Sequence, residues 1–473
     1  MPCDAITANK NTILNPKTKW RLVPIVLFIC ILVHSTWVCA AIEQFLNKTP
    51  KGGYEIIIPT SSLSIKTAHD IAAYLKQNQL ERLGIVNDYT NYYEESSSQT
   101  KLAYMIILES LSENTSLKVL NLENNNLGST GALSLAHGLQ GNRSLTTIDI
   151  GYNHFDDDGI LAITSAMLSN PSLRNVDLSF NRMGVNGVVG VCKLFGVNRL
   201  INRINLGGNA IGSQGTGIIA NALRGYAALT CLDLHYNNIR TEGAIALVAA
   251  LASLPNLEIL NLSTNHIDDA GIIEIVNAIR DQNALTTLDL GNNNAGSTTM
   301  VKTVAGLLQR NPRVTTLNLE KNYISRDEIK TLLLDTLVNH NHSLLNLNCD
   351  YDPGLINAIV ERNKLLAQLS SRLDLYTLGE CEELHQRLPR DLIYQVLAEY
   401  FIGYNNLKYY LLMIMDGTIE KRFTKLTEED KKLIADVMDR QTFIIRRLQQ
   451  LNVPIQVQGS MSKYDCGNSN VLN

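Results

Sequence analysis

The chain has 473 residues, 45% of them hydrophobic and 18% charged, with a formal net charge of −4. That length exceeds one ordinary core, and the near-neutral balance gives no support for a nucleic-acid partner, which would usually show itself as a basic stripe. Eight cysteines are scattered without a CxxC or Cys/His cluster, which argues against a disulfide framework and a zinc site.

The N-terminus carries a targeting pattern. Lys10, Lys17, Lys19 and Arg21 precede an apolar run from Leu22 to Val33, and after His34-Ser35-Thr36 comes Trp37 to Ile42. Small residues at 38 and 40 resemble a secretory signal cleaved after Ala40. Counted through the break, residues 22–42 are also long enough for an uncleaved membrane anchor. Either way the rest of the chain crosses the bilayer, since the basic flank stays on the cytoplasmic side. Residues 1–42 are therefore read as a signal or anchor in contact with the membrane, and 43–79 as an N-terminal cap region.

A repeat dominates the middle of the chain. The pattern Leu-x-x-Leu-x-Leu-x-x-Asn begins at Leu117, Leu145, Leu173, Ile201, Leu229, Leu257 and Leu285, in steps of 28 residues. Two further copies, with small insertions, begin at Val314 and Leu344, and Leu80, Leu83, Ile85 and Asp88 suggest a divergent copy ahead of them. Within a unit, Leu120 and Leu122 alternate around Asn121, as a short strand burying one face requires. The closing column runs Asn125, Asn153, Asn181, Asn209, Asn237, Asn265, Asn293 and Asn322, and stacked amides there can satisfy the turning backbone. Six residues later stands Gly131, Gly159, Gly187, Gly215, Gly243 or Gly271, where a side chain is expected to clash. Alanine and leucine then recur at helical spacing, so each strand is paired with a helix. The fold class is α/β: a solenoid over residues 80–355 with an inner parallel sheet and outer helices.

These units closely resemble the ribonuclease-inhibitor type of leucine-rich repeat. The resemblance implies a horseshoe used for protein recognition. It weakens at the edges: Ala295 and Thr299 stand where an aliphatic residue and glycine are the rule, Glu328 takes the glycine position, and the ninth copy closes with Asp352.

Five Asn-x-Ser/Thr sequences occur, at Asn47, Asn114, Asn142, Asn261 and Asn341. Those at 114, 142 and 341 fall in the turn before a strand, where polar residues belong on structural grounds.

On the concave side the residues between the buried leucines form columns. The central one includes Asp149, Asp177 and Asp233, and its plain reading is a preference for short polar residues between buried ones. After the strand, Tyr152, Phe180 and Tyr236 share one place in repeats two, three and five, with Arg174, Arg203 and His235 nearby. Aromatic rings and arginines are the types enriched at interface hot spots, so a protein ligand is expected on repeats two to five.

Beyond residue 355 the period is lost, and 356–473 reads as a helical region. Thr427 can cap a helix whose start, Glu428-Glu429-Asp430, suits the dipole, while Ile434, Val437, Ile444, Ile445 and Leu448 make its apolar face. Leu388 to Leu397 resembles the opening of an F-box, which implies docking to a ubiquitin-ligase adaptor; a packed helix begun by Pro389 gives the same pattern. No HExxH, GxSxG, P-loop or Rossmann pattern is present, and Cys381 with His385 falls far short of a triad. Neither an enzyme nor a cofactor is expected. The readings left are a membrane-anchored or secreted recognition protein, a substrate adaptor for a ubiquitin ligase (including a bacterial effector acting in the cytoplasm of a host cell), and a GTPase regulator.

Overall fold

A computed structural model describes residues 42–50, 53–78, 80–88, 98–377 and 428–451. Its centre is one sheet of twelve strands in chain order, β1 to β12. β1 (Leu46–Lys48) pairs antiparallel with β2 (Tyr54–Pro59), and every later neighbour is parallel. β3 (Leu80–Val86) leads into the repeats, whose three-residue strands are β4 (Val119–Asn121), β5 (Thr147–Asp149), β6 (Asn175–Asp177), β7 (Arg203–Asn205), β8 (Cys231–Asp233), β9 (Ile259–Asn261), β10 (Thr287–Asp289), β11 (Thr316–Asn318) and β12 (Asn346–Asn348). The in-step register, with Leu120 opposite Ile148 opposite Val176, results from identical repeats stacking without offset.

A helix returns behind each strand from β2 onward. α1 (Ile65–Lys76) and α2 (Ser98–Ser110) precede the regular series of α3 (Gly128–Leu139), α4 (Asp157–Met167), α5 (Val185–Val197), α6 (Gly212–Leu223), α7 (Arg240–Leu251), α8 (Asp269–Ile279) and α9 (Thr298–Arg310). The glycine in the first turn of α4 to α8 is where consecutive helices press together. A Cβ on Gly243 would lie 3.0 Å from the Ser213 Cα, a backbone atom that cannot give way. Repeat eight has Glu328 there, and its longer unit is absorbed as a stretch of wide π-helix, Ile329–Leu333, between Arg326–Glu328 and Leu334–Asn339.

The leucine and isoleucine columns form one continuous core, in which Leu120, Ile148, Leu232, Leu260 and Leu288 are at most 1% exposed. At about 25 cal/mol per Å² of apolar surface removed from water, this column is the main stabilising term. Two amide ladders flank it. In the first, the Asn125 N–H donates to Asn153 Oδ1, Asn153 to Asn181, Asn237 to Asn265 and Asn265 to Asn293, at 2.9–3.2 Å. Each Nδ2 reaches a carbonyl of the preceding repeat, as from Asn153 to Leu122 O at 2.8 Å.

The second ladder, on the turn entering each strand, is a finding beyond the sequence reading. Asn114, Asn142, Asn170 and Asn198 are at most 5% exposed, and Asn142 Nδ2 donates to Asn114 O while Asn198 Nδ2 donates to Asn170 O. Tyr226 continues it with a phenol, donating to Asn198 O at 2.8 Å and accepting from Ile201 N. Asn341, 2% exposed, closes it by donating to Leu308 O. Of the five Asn-x-Ser/Thr sequences, those at 114, 142 and 341 thus serve the turn itself.

The sheet begins earlier than residue 80, because β2 and α1 already form a strand–helix unit in the stretch read as a cap. Ile42, the last residue of the apolar N-terminal stretch, is fully buried in the core. The remainder of that stretch lies outside the described residues. Among the described residues no helix is long and apolar enough to cross a membrane.

At the far end stand α12 (Pro353–Thr377) and α13 (Glu428–Gln450), counting Arg326–Glu328 and Leu334–Asn339 as α10 and α11. Leu433, Val437, Ile444 and Leu448 of α13 are buried. Asp352 stands where the ladder would have its next amide. Its Oδ1 accepts from Leu355 N to start α12, and its Oδ2 accepts from both Nε and Nη2 of Arg447 on α13. Burial disfavours its charge, yet these bonds hold its carboxyl below the usual aspartate range.

Candidate functional site

The strand pattern places short polar residues at the centre of the concave face, and their first task is local. Asp149 accepts from Gly151 N, Asp177 from Ser179 N, Asn205 from Gly207 N, Asp233 from His235 N and Asp289 from Gly291 N. Each closes the turn after its strand by bonding a backbone N–H two residues on. A short polar side chain at this place is thus used by the turn itself.

The column also carries charge that is unevenly matched. Asn205 Nδ2 donates to Asp177 Oδ2 at 2.7 Å, and Asn261 Nδ2 donates to Asp233 Oδ2 at 3.0 Å. Asp149 sits beside Asp177 across β5 and β6 with the single bond from Gly151. Burial, then the Asp177 and Glu123 charges against the opposing Gly151 bond, push its carboxyl up to about 7. Glu123, one strand further, is raised by burial and by Asp177. His235 goes the other way: its Nδ1 lies 2.7 Å from Asp233 Oδ1, and that bond raises its pKa against the effect of burial, with help from Asp233, Asp289 and Asp177.

Next to the acids lies a row of rings. Tyr152 and Phe180 stack with centroids 4.1 Å apart and planes 12° from parallel. Phe180 meets His235 at 5.3 Å and Tyr236 at 6.5 Å, although repeat four lies between them. That reach depends on two glycines. A Cβ at Gly207 would fall 2.1 Å from the His235 ring, and one at Gly208 2.5 Å from Phe180. Sequence reasoning did not single out these glycines, since their effect is felt one repeat away.

The rings occupy unusual backbone. Tyr152, Phe180 and Tyr236 have φ of 54°, 49° and 52°, in the left-handed region that asparagine and glycine enter most readily. Elsewhere in this column Asn124, Gly208 and Asn292 take the same turn, as do Thr264 and Lys321. Large rings here cost conformational energy, and they are not sunk in the core: Tyr236 is 60% exposed.

The structure brings Asp149, Tyr152, Asp177, Phe180, Asp233, His235 and Tyr236 onto one continuous surface. Arg174, in repeat three, and Arg203, in repeat four, lie at the opposite ends of the strands from the rings, both exposed. Cys231, on the same strand as Asp233, is 8% exposed with its thiol pushed up by burial, in keeping with packing. Leu388 to Leu397, Cys381 and His385 lie outside the described residues.

Leucine Rich repeat sequences are found in the chain at residues 113–136, 141–163, 169–192, 228–248 and 253–276. No curated protein matches it. Among solved structures it is similar to an internalin from Listeria monocytogenes, at 19% identity over 60% of this chain and 70% of that one, with a TM-score of 0.36. It is also similar to the Arabidopsis receptor kinase HAESA ectodomain, solved with a peptide hormone, at 17% identity and a TM-score of 0.32 over 52% of this chain and 36% of that one. A third is TLR13 in its complex with ssRNA13, at 17% identity and 0.35 over 62% and 34%. The chain thus spans only about a third of the length of the last two.

Proposed function

We propose that this chain is a non-enzymatic recognition scaffold of the ribonuclease-inhibitor type, exported or held at a membrane, which binds a protein partner on the concave face of repeats two to five. The subtype is supported by the pairing of every three-residue strand with a helix of eleven to thirteen residues from α3 to α9. The single observation that carries the binding reading is the ring row: three aromatic side chains held in left-handed backbone and left open to solvent at one edge. Asparagine and glycine enter that backbone most readily, so three rings in one column there favour a role in binding. Rings on a rigid sheet lose little entropy on binding, as an interface anchor should.

The test compares the full chain with a Tyr152→Ala/Phe180→Ala/Tyr236→Ala variant in affinity capture with mass spectrometry. A protein retained by the parent and lost by the folded variant is the expected result. Equal retention by both overturns the assignment.

A further inference from the structure

The ring row and the carboxylates define not only a place but a chemistry. From Asp149 to Asn292, the central and ring columns of the concave face contain no lysine or arginine; the column at the start of the strands contains one, Arg203, and His235 is paired with Asp233. The central column contains four aspartates, at 149, 177, 233 and 289. Beyond the close pair on β5 and β6, the acids fall on β6, β8 and β10, while β7 and β9 carry amides. Their fields add, since Asp177, Asp233 and Asp289 all act on His235. A negative strip bordered by ring faces is complementary to cations, because ring faces carry the negative part of the aromatic quadrupole.

We propose that the partner presents a basic, extended segment laid across the strands, with guanidinium groups over the rings and against the aspartates. This rests on the concave-face reading and narrows it to one kind of ligand. Arginine suits the surface better than lysine, since its planar head can stack on a ring and hold a carboxylate in two bonds at once. The spacing is defined too. Neighbouring strands lie about 4.8 Å apart, so acids on alternate strands repeat at about 10 Å, the length of about three extended residues. An arginine at every third position keeps step with Asp177, Asp233 and Asp289.

The probe is a fluorescein-labelled peptide of serines with arginine at every third position, titrated into the full chain by fluorescence anisotropy. Two further peptides act as controls, one with citrulline for arginine and one with the same arginines in a single block. The spaced arginine peptide should bind about tenfold or more tightly than the citrulline peptide, and more tightly than the block. Asp149→Asn/Asp289→Asn keeps the oxygens that accept from Gly151 and Gly291, and should weaken the spaced peptide alone. Equal binding of all three peptides, or indifference to the double variant, overturns the proposal. If that happens while the captured protein is still lost in the triple-ring variant, the concave face remains the site and only its ligand chemistry is wrong. If the triple-ring variant retains that protein, the underlying reading falls.

Discussion

Asp149 shows how one residue serves two demands at odds with each other. Its Oδ1 closes a turn, which any aspartate or asparagine can do, but its charge sits half-buried beside Asp177. Its carboxyl, raised to about 7, favours the folded state while protonated, so its contribution to stability falls as pH rises from its ordinary value toward 7. Asp149→Asn keeps the turn bond and removes the charge. Thermal melts should therefore show a gain for this variant that is larger at pH 8 than at pH 5; an equal gain at both would contradict a buried charge as the cause. At this scale the sequence was informative wherever a role recurs every repeat. Tyr152, Phe180 and Tyr236 stood out because they occupy one column. Gly207 and Gly208 did not, because what they permit is decided by rings on the flanking repeats.

Among elements, the asparagine column was legible because the same backbone groups must be satisfied at each step, and an amide both donates and accepts. The second ladder was harder to see. Its column passes through Tyr226, and a phenol there does the work of an amide by a different geometry. The first ladder also has a weak rung: Asn237 is fully buried, yet its Oδ1 has no hydrogen-bond partner. Asn265, by contrast, accepts from Asn237 N and donates to Leu234, Leu262 and Ser263 carbonyls. Replacing Asn265 by leucine should cost about 3 kcal/mol, since it strands several buried groups at about 1–3 kcal/mol each. Chemical denaturation measures this, and a loss below about 1 kcal/mol would show that the ladder is not the main constraint on the turn. The early unit of β2 and α1 escaped the repeat search for a related reason. Thr60 and Tyr104 hydroxyls donate to Asn125 Oδ1, so the ladder starts without an asparagine in that unit.

For the whole molecule, each repeat meets only its neighbours, so the two ends need closing. The near end is shut by the antiparallel β1–β2 pair and the far end by α12 and α13, tied through Asp352 and Arg447. The far helices were foreseeable from apolar spacing and a helix-start signal. The contact between Asp352 and Arg447, 95 residues apart, was not, because no local pattern reports it. Closed ends leave the concave face as a rigid surface, on which the rings, His235 and the three aspartates of repeats two, three and five converge. The most direct test of that face as the binding site is photo-crosslinking from the full chain, with a photoreactive amino acid at 236 in one preparation and at 245, exposed on α7 behind the sheet, in another. If the concave face holds the partner, the captured protein is cross-linked from 236 and not from 245. Cross-linking from 245 with none from 236 would contradict it.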